Sequence, residues 1–247
     1  MDLDTLKVRK EPGILFAEIA APPMNLLGPE LVRDLVSLIQ QAEDDDTIGV
    51  VVFKSAPTPT ISISHVDVMR ISQYREATAK LTGEASLGLL FRYLSVSRLV
   101  TIAQVEGRVR GAGSEFVLAC YMRFAARGSA IFGQPEAAFG LIPGAGGVQH
   151  LTRLMGRGRA LEAILSGDDY DADLAESYGW INRALPAEVL GDFVSRLAHR
   201  LAKFSAAALA AIKARVNAIA LAPPDDFRQD SDLFLERARN PEVQSRI

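Results

Sequence analysis

Cysteine, histidine and tryptophan are scarce in this chain of 247 residues, which contains one cysteine, three histidines and one tryptophan. The single cysteine, Cys120, excludes a disulfide framework within the chain and any metal site built from several cysteines. Since His65, His150 and His199 are scattered along the sequence, we expect no metal centre. Cys120 ends a predicted apolar helix and is interpreted as an inert core thiol.

A strong net charge and long apolar runs are missing as well. The 27 Lys and Arg residues against 30 Asp and Glu residues leave a formal charge of −3, so we expect no binding to nucleic acid or to a membrane. Apolar stretches such as residues 206–212 are far shorter than the roughly 20 residues that cross a bilayer. Residues 1–11 mix acids and bases and show no secretory signal. These absences predict a cytoplasmic protein.

Apolar residues, in contrast, make up 49% of the chain, enough for a substantial core. Apolar runs rich in β-branched residues predict strands over residues 14–20, 48–54, 99–105 and 122–126. Between the first two runs, apolar residues recur every three to four positions after Pro29, which predicts a helix. The alternation of the two patterns predicts the α/β fold class.

The pattern becomes helical from about residue 146, with a break at residues 156–158. Long helical patterns follow over residues 187–204 and 205–220, and the consecutive prolines at 223 and 224 introduce a short terminal helix. We predict a core over residues 1–185 and a C-terminal helical region over residues 186–247 that serves as a lid or assembly element. No repeat of constant period is visible.

A glycine cluster follows the strand predicted at 99–105. Gly107, Gly111 and Gly113 lie before and at the start of a helix predicted over residues 111–120, where backbone N–H groups can bind an anion. A tight turn explains the same glycines. Glu115 falls in the first turn of this helix, where a carboxylate also interacts favourably with the helix dipole.

A second carboxylate, Glu136, follows Pro135 and is surrounded by apolar residues. Burial without a partner would raise the pKa of Glu136 and make it an acid or base near neutral pH. A surface carboxylate fits the same spacing. The glycine-rich residues 143–147 lack the lysine of a phosphate-binding loop and predict a turn before a helix.

Several of these segments together resemble the crotonase superfamily, the enoyl-CoA hydratase/isomerase family. Residues 105–115, Val-Glu-Gly-Arg-Val-Arg-Gly-Ala-Gly-Ser-Glu, resemble its glycine-rich oxyanion segment, which ends in the first catalytic glutamate. Residues 132–136, Phe-Gly-Gln-Pro-Glu, with Gly-Leu-Ile-Pro-Gly-Ala-Gly-Gly at 140–147, resemble the segment that carries the second. Residues 61–67 take the place of its Ala-Gly-Ala-Asp loop, and residues 23–25 resemble its N-terminal substrate-contact motif. The resemblance extends over residues 12–220.

The resemblance implies a crotonase-like spiral of ββα turns with a C-terminal helical region, assembled as homotrimers or dimers of trimers. It also implies a site for an acyl-CoA thioester, in which the backbone N–H groups of Val66 and Ala112 bind the acyl carbonyl oxygen. Glu115 would activate water and Glu136 would protonate the α carbon. The implied substrate-binding residues are Met24, Leu26, Ser64, His65, Asp67, Val68, Gly113 and Pro135. Coenzyme A would be part of the substrate, and no other cofactor is implied.

Because both carboxylates are present, the resemblance favours an enoyl-CoA hydratase that adds water across the α,β double bond of a trans-2-enoyl-CoA. One alternative is an enoyl-CoA isomerase, or another enolate-forming acyl-CoA enzyme that uses Glu136 as a proton shuttle. Another is a noncatalytic acyl-CoA-binding paralogue, because His65 and Val66 replace the glycine and alanine of the oxyanion loop. If position 65 needs a positive φ, a histidine there costs about 1 to 2 kcal/mol. Residues 73–97 would form the pocket floor.

Overall fold

Two β-sheets form the framework of the protein, described by a computed structural model for residues 3–55 and 61–246. The strands are β1 (Leu6–Glu11), β2 (Ile14–Ile19), β3 (Val50–Ser55), β4 (Ile61–Ile63), β5 (Val100–Val105), β6 (Arg108–Arg110), β7 (Met122–Ala126), β8 (Ile131–Gly133), β9 (Tyr170–Asp171) and β10 (Arg183–Leu185). Six strands form one sheet in the order β1-β2-β3-β5-β7-β10, and four form the other in the order β4-β6-β8-β9. The pairs β1–β2 and β8–β9 are antiparallel, whereas the others are parallel.

Helices pack around this framework. They are α1 (Pro29–Asp44), α2 (Arg75–Thr82), α3 (Leu87–Val96), α4 (Ala112–Ala119), α5 (Gly147–Ser166), α6 (Ala172–Tyr178), α7 (Ala187–Leu201), α8 (Ala206–Ala220), α9 (Pro224–Ala238) and α10 (Pro241–Gln244), with 3-10 helices at Val68–Tyr74 and Pro135–Phe139. Helix α5 is broken at Gly156, which has φ 78° and ψ 163°, as the glycines at this point predict. No single helix in the described ranges is long and apolar enough to cross a membrane, and α8 with α9 reaches that length only as a pair bent by 62°.

The chain winds through three successive ββα turns. The first contains β3, β4 and α2–α3, the second β5, β6 and α4, and the third β7, β8 and α5. Each turn adds one strand to each sheet. Since the turns begin at Val50, Val100 and Met122, their lengths differ, which explains why the sequence shows no constant period.

The larger sheet is buried on both faces, which explains its continuous apolar strands. Val50 and Val52 belong to the cluster that packs on Val194 of α7. Val51 and Phe53 point to the opposite face, where the Phe53 ring meets the edge of a ring on α4 at 5.1 Å between centroids. The period of two along β3 therefore separates two hydrophobic layers.

Two local predictions are wrong in part. The Ser, Thr and Pro residues at the start of 55–72 predict a loop that runs into a short helix, but strand β4 precedes the 3-10 helix at Val68–Tyr74, and residues 56–60 lie outside the described part of the chain. A three-residue strand is too short to produce a periodic pattern. The predicted short terminal helix is α9, which has 15 residues, as many as α8. The domain division at residue 185 stays a prediction.

Candidate active site

A cavity of about 1200 Å³ lies between the loop at residues 65–68, α4, the 3-10 helix at Pro135–Phe139 and α9. Nine of the twelve predicted site residues line it: Leu26, His65, Val66, Asp67, Val68, Ala112, Glu115, Pro135 and Glu136. Met24, Ser64 and Gly113 are not among its lining residues. The cavity therefore brings together segments that are far apart in the sequence.

Glu115 is held in a fixed position by the start of α5. It is 2% exposed, and its Oε1 atom accepts hydrogen bonds of 2.8 Å from the N–H groups of both Ala145 and Gly147. A Cβ atom at Gly147 would lie only 2.8 Å from Pro143 and 3.1 Å from the same carboxylate oxygen, so glycine permits this approach. Burial raises the pKa of Glu115 to about 7, although the two N–H groups act in the opposite direction.

Glu136 lies in the 3-10 helix that Pro135 opens, and it is 8% exposed. Burial raises its pKa well above the ordinary value, and the negative charge of Glu115 raises it further. Gln134 is buried beside Glu136, and the hydrogen-bonding groups around it favour the orientation in which its amide NH2 faces the carboxyl group. In this orientation the NH2 donates to the two oxygens of Glu136 at 3.0 and 3.1 Å. Because like charges in one buried site disfavour each other, this pair retains a proton near neutral pH.

Two backbone amides border the cavity. Leu27 pairs with Val66 in a parallel β-bridge. The Leu27 N–H donates to the His65 carbonyl at 3.1 Å, and the Leu27 carbonyl accepts from the Asp67 N–H at 3.2 Å. The N–H of Val66 takes no part in this bridge. Ala112 is the first residue of α4, and the first N–H groups of a helix have no carbonyl partner within that helix. Val66 and Ala112 both line the cavity, and neither N–H group has a hydrogen-bond partner within the described part of the chain.

The backbone around these amides depends on two glycines. Gly111 has φ 53° and ψ −129°, and a Cβ atom there would lie 2.9 Å from the Glu136 carboxylate. A Cβ atom at Gly113 would lie 2.5 Å from the Ser64 carbonyl oxygen. Gly113 thus lets α4 approach the loop closely. It serves packing and has no place in the cavity lining.

The replacement at His65 causes no left-handed backbone strain. Among the described residues, Asn25 is the one non-glycine residue with a positive φ, 48°. His65 is exposed, and its Nδ1 atom lies 2.9 Å from the Val66 carbonyl oxygen. The φ angle of His65 is therefore not positive, and the conformational cost of about 1 to 2 kcal/mol for a non-glycine residue does not arise here.

Helix α9, in the C-terminal region predicted to serve as a lid or assembly element, lines one wall of the cavity. Ser231 donates to the Gly144 carbonyl at 2.7 Å, and a Cβ atom at Gly144 would lie 2.5 Å from the Cβ of Phe234. At the rim, Arg228 forms an ion pair of 2.6 Å with Glu84. The amphipathic pattern of residues 224–238 indicates a helix, but not the surface on which it docks.

A carboxylate on α9 also influences Glu115. Asp230 accepts a hydrogen bond of 2.6 Å from the side chain of Gln149, in the first turns of α5. The negative charge of Asp230 contributes to the raised pKa of Glu115. The C-terminal region thus influences the pKa of Glu115 as well as lining the cavity.

Comparison with known proteins agrees with this arrangement. The family model for enoyl-CoA hydratase/isomerase matches residues 9–245. The protein named "Probable enoyl-CoA hydratase echA8" of Mycobacterium bovis is 29% identical over 218 residues, covering 88% of this chain and 82% of its own length. The short-chain-enoyl-CoA hydratase of Clostridium acetobutylicum is 26% identical with the same coverage of 88% and 82%.

Among solved structures, a candidate enoyl-CoA hydratase from Streptomyces avermitilis superimposes with a TM-score of 0.96 at 50% identity. The match covers 100% of this chain and 89% of that one. It confirms the predicted α/β, crotonase-like fold.

Proposed function

The chain belongs to the enoyl-CoA hydratase/isomerase family, and we propose that this enzyme adds water across the α,β double bond of a trans-2-enoyl-CoA thioester. The observation that carries the proposal is the pair of buried carboxylates, Glu115 and Glu136, which line one cavity beside two backbone amides. A hydration needs one group to activate water and another to deliver a proton, and the two carboxylates supply both.

The amides stabilise the charge that develops during the reaction. The thioester carbonyl oxygen accepts hydrogen bonds from the N–H groups of Val66 and Ala112. As water attacks the β carbon, negative charge moves onto this oxygen, and fixed donors stabilise the resulting enolate more than the ground state. The replacement at Val66 leaves this role intact because a backbone amide performs it.

The two glutamates divide the proton transfers. Both hydrogen bonds from the start of α5 reach Oε1 of Glu115, which leaves Oε2 to accept from the attacking water. The water oxygen bonds to the β carbon and its proton passes to Glu115, while the carboxyl proton of Glu136 passes to the α carbon. Proton exchange with solvent then restores both groups. We propose that coenzyme A enters as part of the substrate and that no further cofactor is needed.

The alternatives are weaker. An isomerase within the family needs a proton shuttle but no positioned water. The two hydrogen bonds that fix the Glu115 carboxylate, and with it the position of a water, therefore favour hydration. The noncatalytic alternative depended partly on strain at His65, which the backbone does not show. The cytoplasmic location stays a prediction.

The test is to incubate the protein with trans-2-enoyl-CoA thioesters of increasing chain length, following enoyl absorbance and product mass. We expect loss of absorbance together with the mass gain of one water. If neither the absorbance nor the mass changed with any aliphatic or aromatic thioester, the proposal would be contradicted. A shifted double bond without a mass gain would identify the isomerase instead.

Removing the charge of Asp230 is expected to move the pH profile. Glu115 acts as a base, so kcat/KM falls when the pH drops below its pKa. The negative charge of Asp230 contributes to raising that pKa, so Asp230→Asn lowers it and moves the acidic limb of the kcat/KM profile to lower pH by a fraction of a unit. Asparagine retains an oxygen that accepts from Gln149. Glu236→Gln, an exposed change on the same helix, leaves the limb in place. An unmoved acidic limb in Asp230→Asn would refute the coupling.

We also propose that the chain forms a homotrimer or a dimer of trimers. Helix α8 has no buried residue in the single chain. Ile212, Val216 and Ile219 on it are 60%, 57% and 83% exposed. Apolar patches of this kind mark interaction surfaces, and the number of copies follows the family resemblance.

Light scattering should therefore give the mass of three or six chains. Replacing both Ile212 and Ile219 with lysine should reduce that mass to one chain. The matched control places lysine at Leu165 and Leu174, which are also exposed but lie on α5 and α6. A wild type of single-chain mass would contradict the assembly.

A further inference from the structure

One buried tyrosine, Tyr74, lines the inner part of the cavity. Tyr74 is 5% exposed, whereas the lining residues Glu84, Asp232 and Arg239 are exposed and mark the mouth. Tyr74 ends the 3-10 helix at Val68–Tyr74, and α2 begins at the next residue. Tyr74 therefore lies on the inner wall of the cavity, where the proposed function places the acyl group of a bound thioester.

The hydroxyl group of Tyr74 has no hydrogen-bond partner within the described ranges. Three other tyrosines differ: Tyr93 donates to Glu43, Tyr121 accepts from Asn217, and Tyr178 donates to Glu162. Of the five tyrosines in the sequence, Tyr74 is the one that lines the cavity.

Tyr74 remains protonated under physiological conditions, because burial raises its pKa and the nearby negative charge of Asp67 raises it further. The hydroxyl is therefore a hydrogen-bond donor at neutral pH. Neighbouring lining residues such as Val68, Ile71 and Leu87 have apolar side chains and offer no acceptor. Because the hydroxyl opens onto the cavity, water can accept its hydrogen bond when the site is empty, and a bound acyl group that displaces this water must supply an acceptor or leave the donor unpaired.

We propose that Tyr74 determines substrate specificity by donating a hydrogen bond to an oxygen atom on the acyl group. The preferred substrates are then 2-enoyl-CoA thioesters that carry a hydroxyl, keto or ether oxygen beyond the double bond. Plain aliphatic thioesters leave the donor unpaired. This inference rests on the proposed function, because it concerns the acyl end of the same cavity.

The experiment uses pairs of 2-enoyl-CoA thioesters of equal chain length, with and without an oxygen at successive positions beyond the double bond. For the best pair, wild type is expected to favour the oxygenated member in kcat/KM by at least roughly 10-fold. Tyr74→Phe keeps the ring and removes the donor, so the ratio of kcat/KM between the two members of the pair falls to about 1. Tyr170→Phe is the matched control, since Tyr170 is equally buried but outside the cavity lining.

Calorimetry with the saturated, unreactive thioesters separates this inference from the proposed hydration. Tighter binding of the oxygenated member to wild type but not to Tyr74→Phe supports the role of Tyr74 even if no thioester is hydrated. Hydration by a wild type that shows no preference at any oxygen position overturns it. The inference also fails if the preference persists unchanged in folded Tyr74→Phe.

Discussion

Glu136→Gln is expected to lower kcat for hydration by roughly 100- to 10,000-fold, with little change in KM. The amide has nearly the shape of the carboxyl group but does not deliver a proton to the α carbon. Because the raised pKa of Glu136 keeps a proton in this buried pair, a neutral amide leaves no uncompensated charge and the fold is retained. Steady-state kinetics with the best enoyl thioester measure the loss.

The control for Glu136→Gln is the same chemical change at Glu188, which is exposed in the first turn of α7. Glu188→Gln should retain the wild-type rate. If folded Glu136→Gln kept more than about a tenth of the wild-type kcat, Glu136 would not be the proton donor.

Glu115→Gln is expected to cause a loss of similar size, roughly 100- to 10,000-fold in kcat, because the variant lacks the base that activates water. The glutamine oxygen still accepts from the N–H groups of Ala145 and Gly147, so the start of α5 keeps its position. The residual rate should also lose its acidic limb, since burial raises the pKa of Glu115 to about 7 in the wild type. A pH series of kcat/KM measures both effects.

The double variant, with glutamine at both Glu115 and Glu136, tests whether the two carboxylates act in the same step. Since Glu115 and Glu136 act on the same transition state, replacing both should cost much less than the product of the two single losses. Fully multiplicative losses would indicate that the residues act in independent steps. An acidic limb that survives in Glu115→Gln would assign the titration to another group.

Much of the larger sheet was predictable from the sequence because its strands are buried on both faces. The apolar runs predicted β2, β3, β5 and β7 with small differences at their ends. The smaller sheet was not predicted, since β4, β6 and β8 have three residues each. Their parallel pairing depends on neighbouring turns of the spiral, which no local pattern records.

The two cavity carboxylates were predictable for a different reason. The resemblance of their glycine- and proline-rich segments to the family singles out Glu115 and Glu136, whereas the local patterns alone also fit a helix-start residue and a surface carboxylate. The influence of Asp230 was not predictable, because α9 reaches the site by folding back on α3 and the Gly144 turn. The same holds for Tyr74, whose missing partner is visible only once the cavity is built.

The most direct test of the central claim is mass spectrometry of the product formed from a trans-2-enoyl-CoA in water labelled with ¹⁸O. The two-carboxylate mechanism predicts a 3-hydroxyacyl-CoA that has gained one labelled water, formed by wild type and strongly reduced in both Glu115→Gln and Glu136→Gln. A product of unchanged mass with a displaced double bond, or labelled product formed at equal rates by the folded variants, would contradict it.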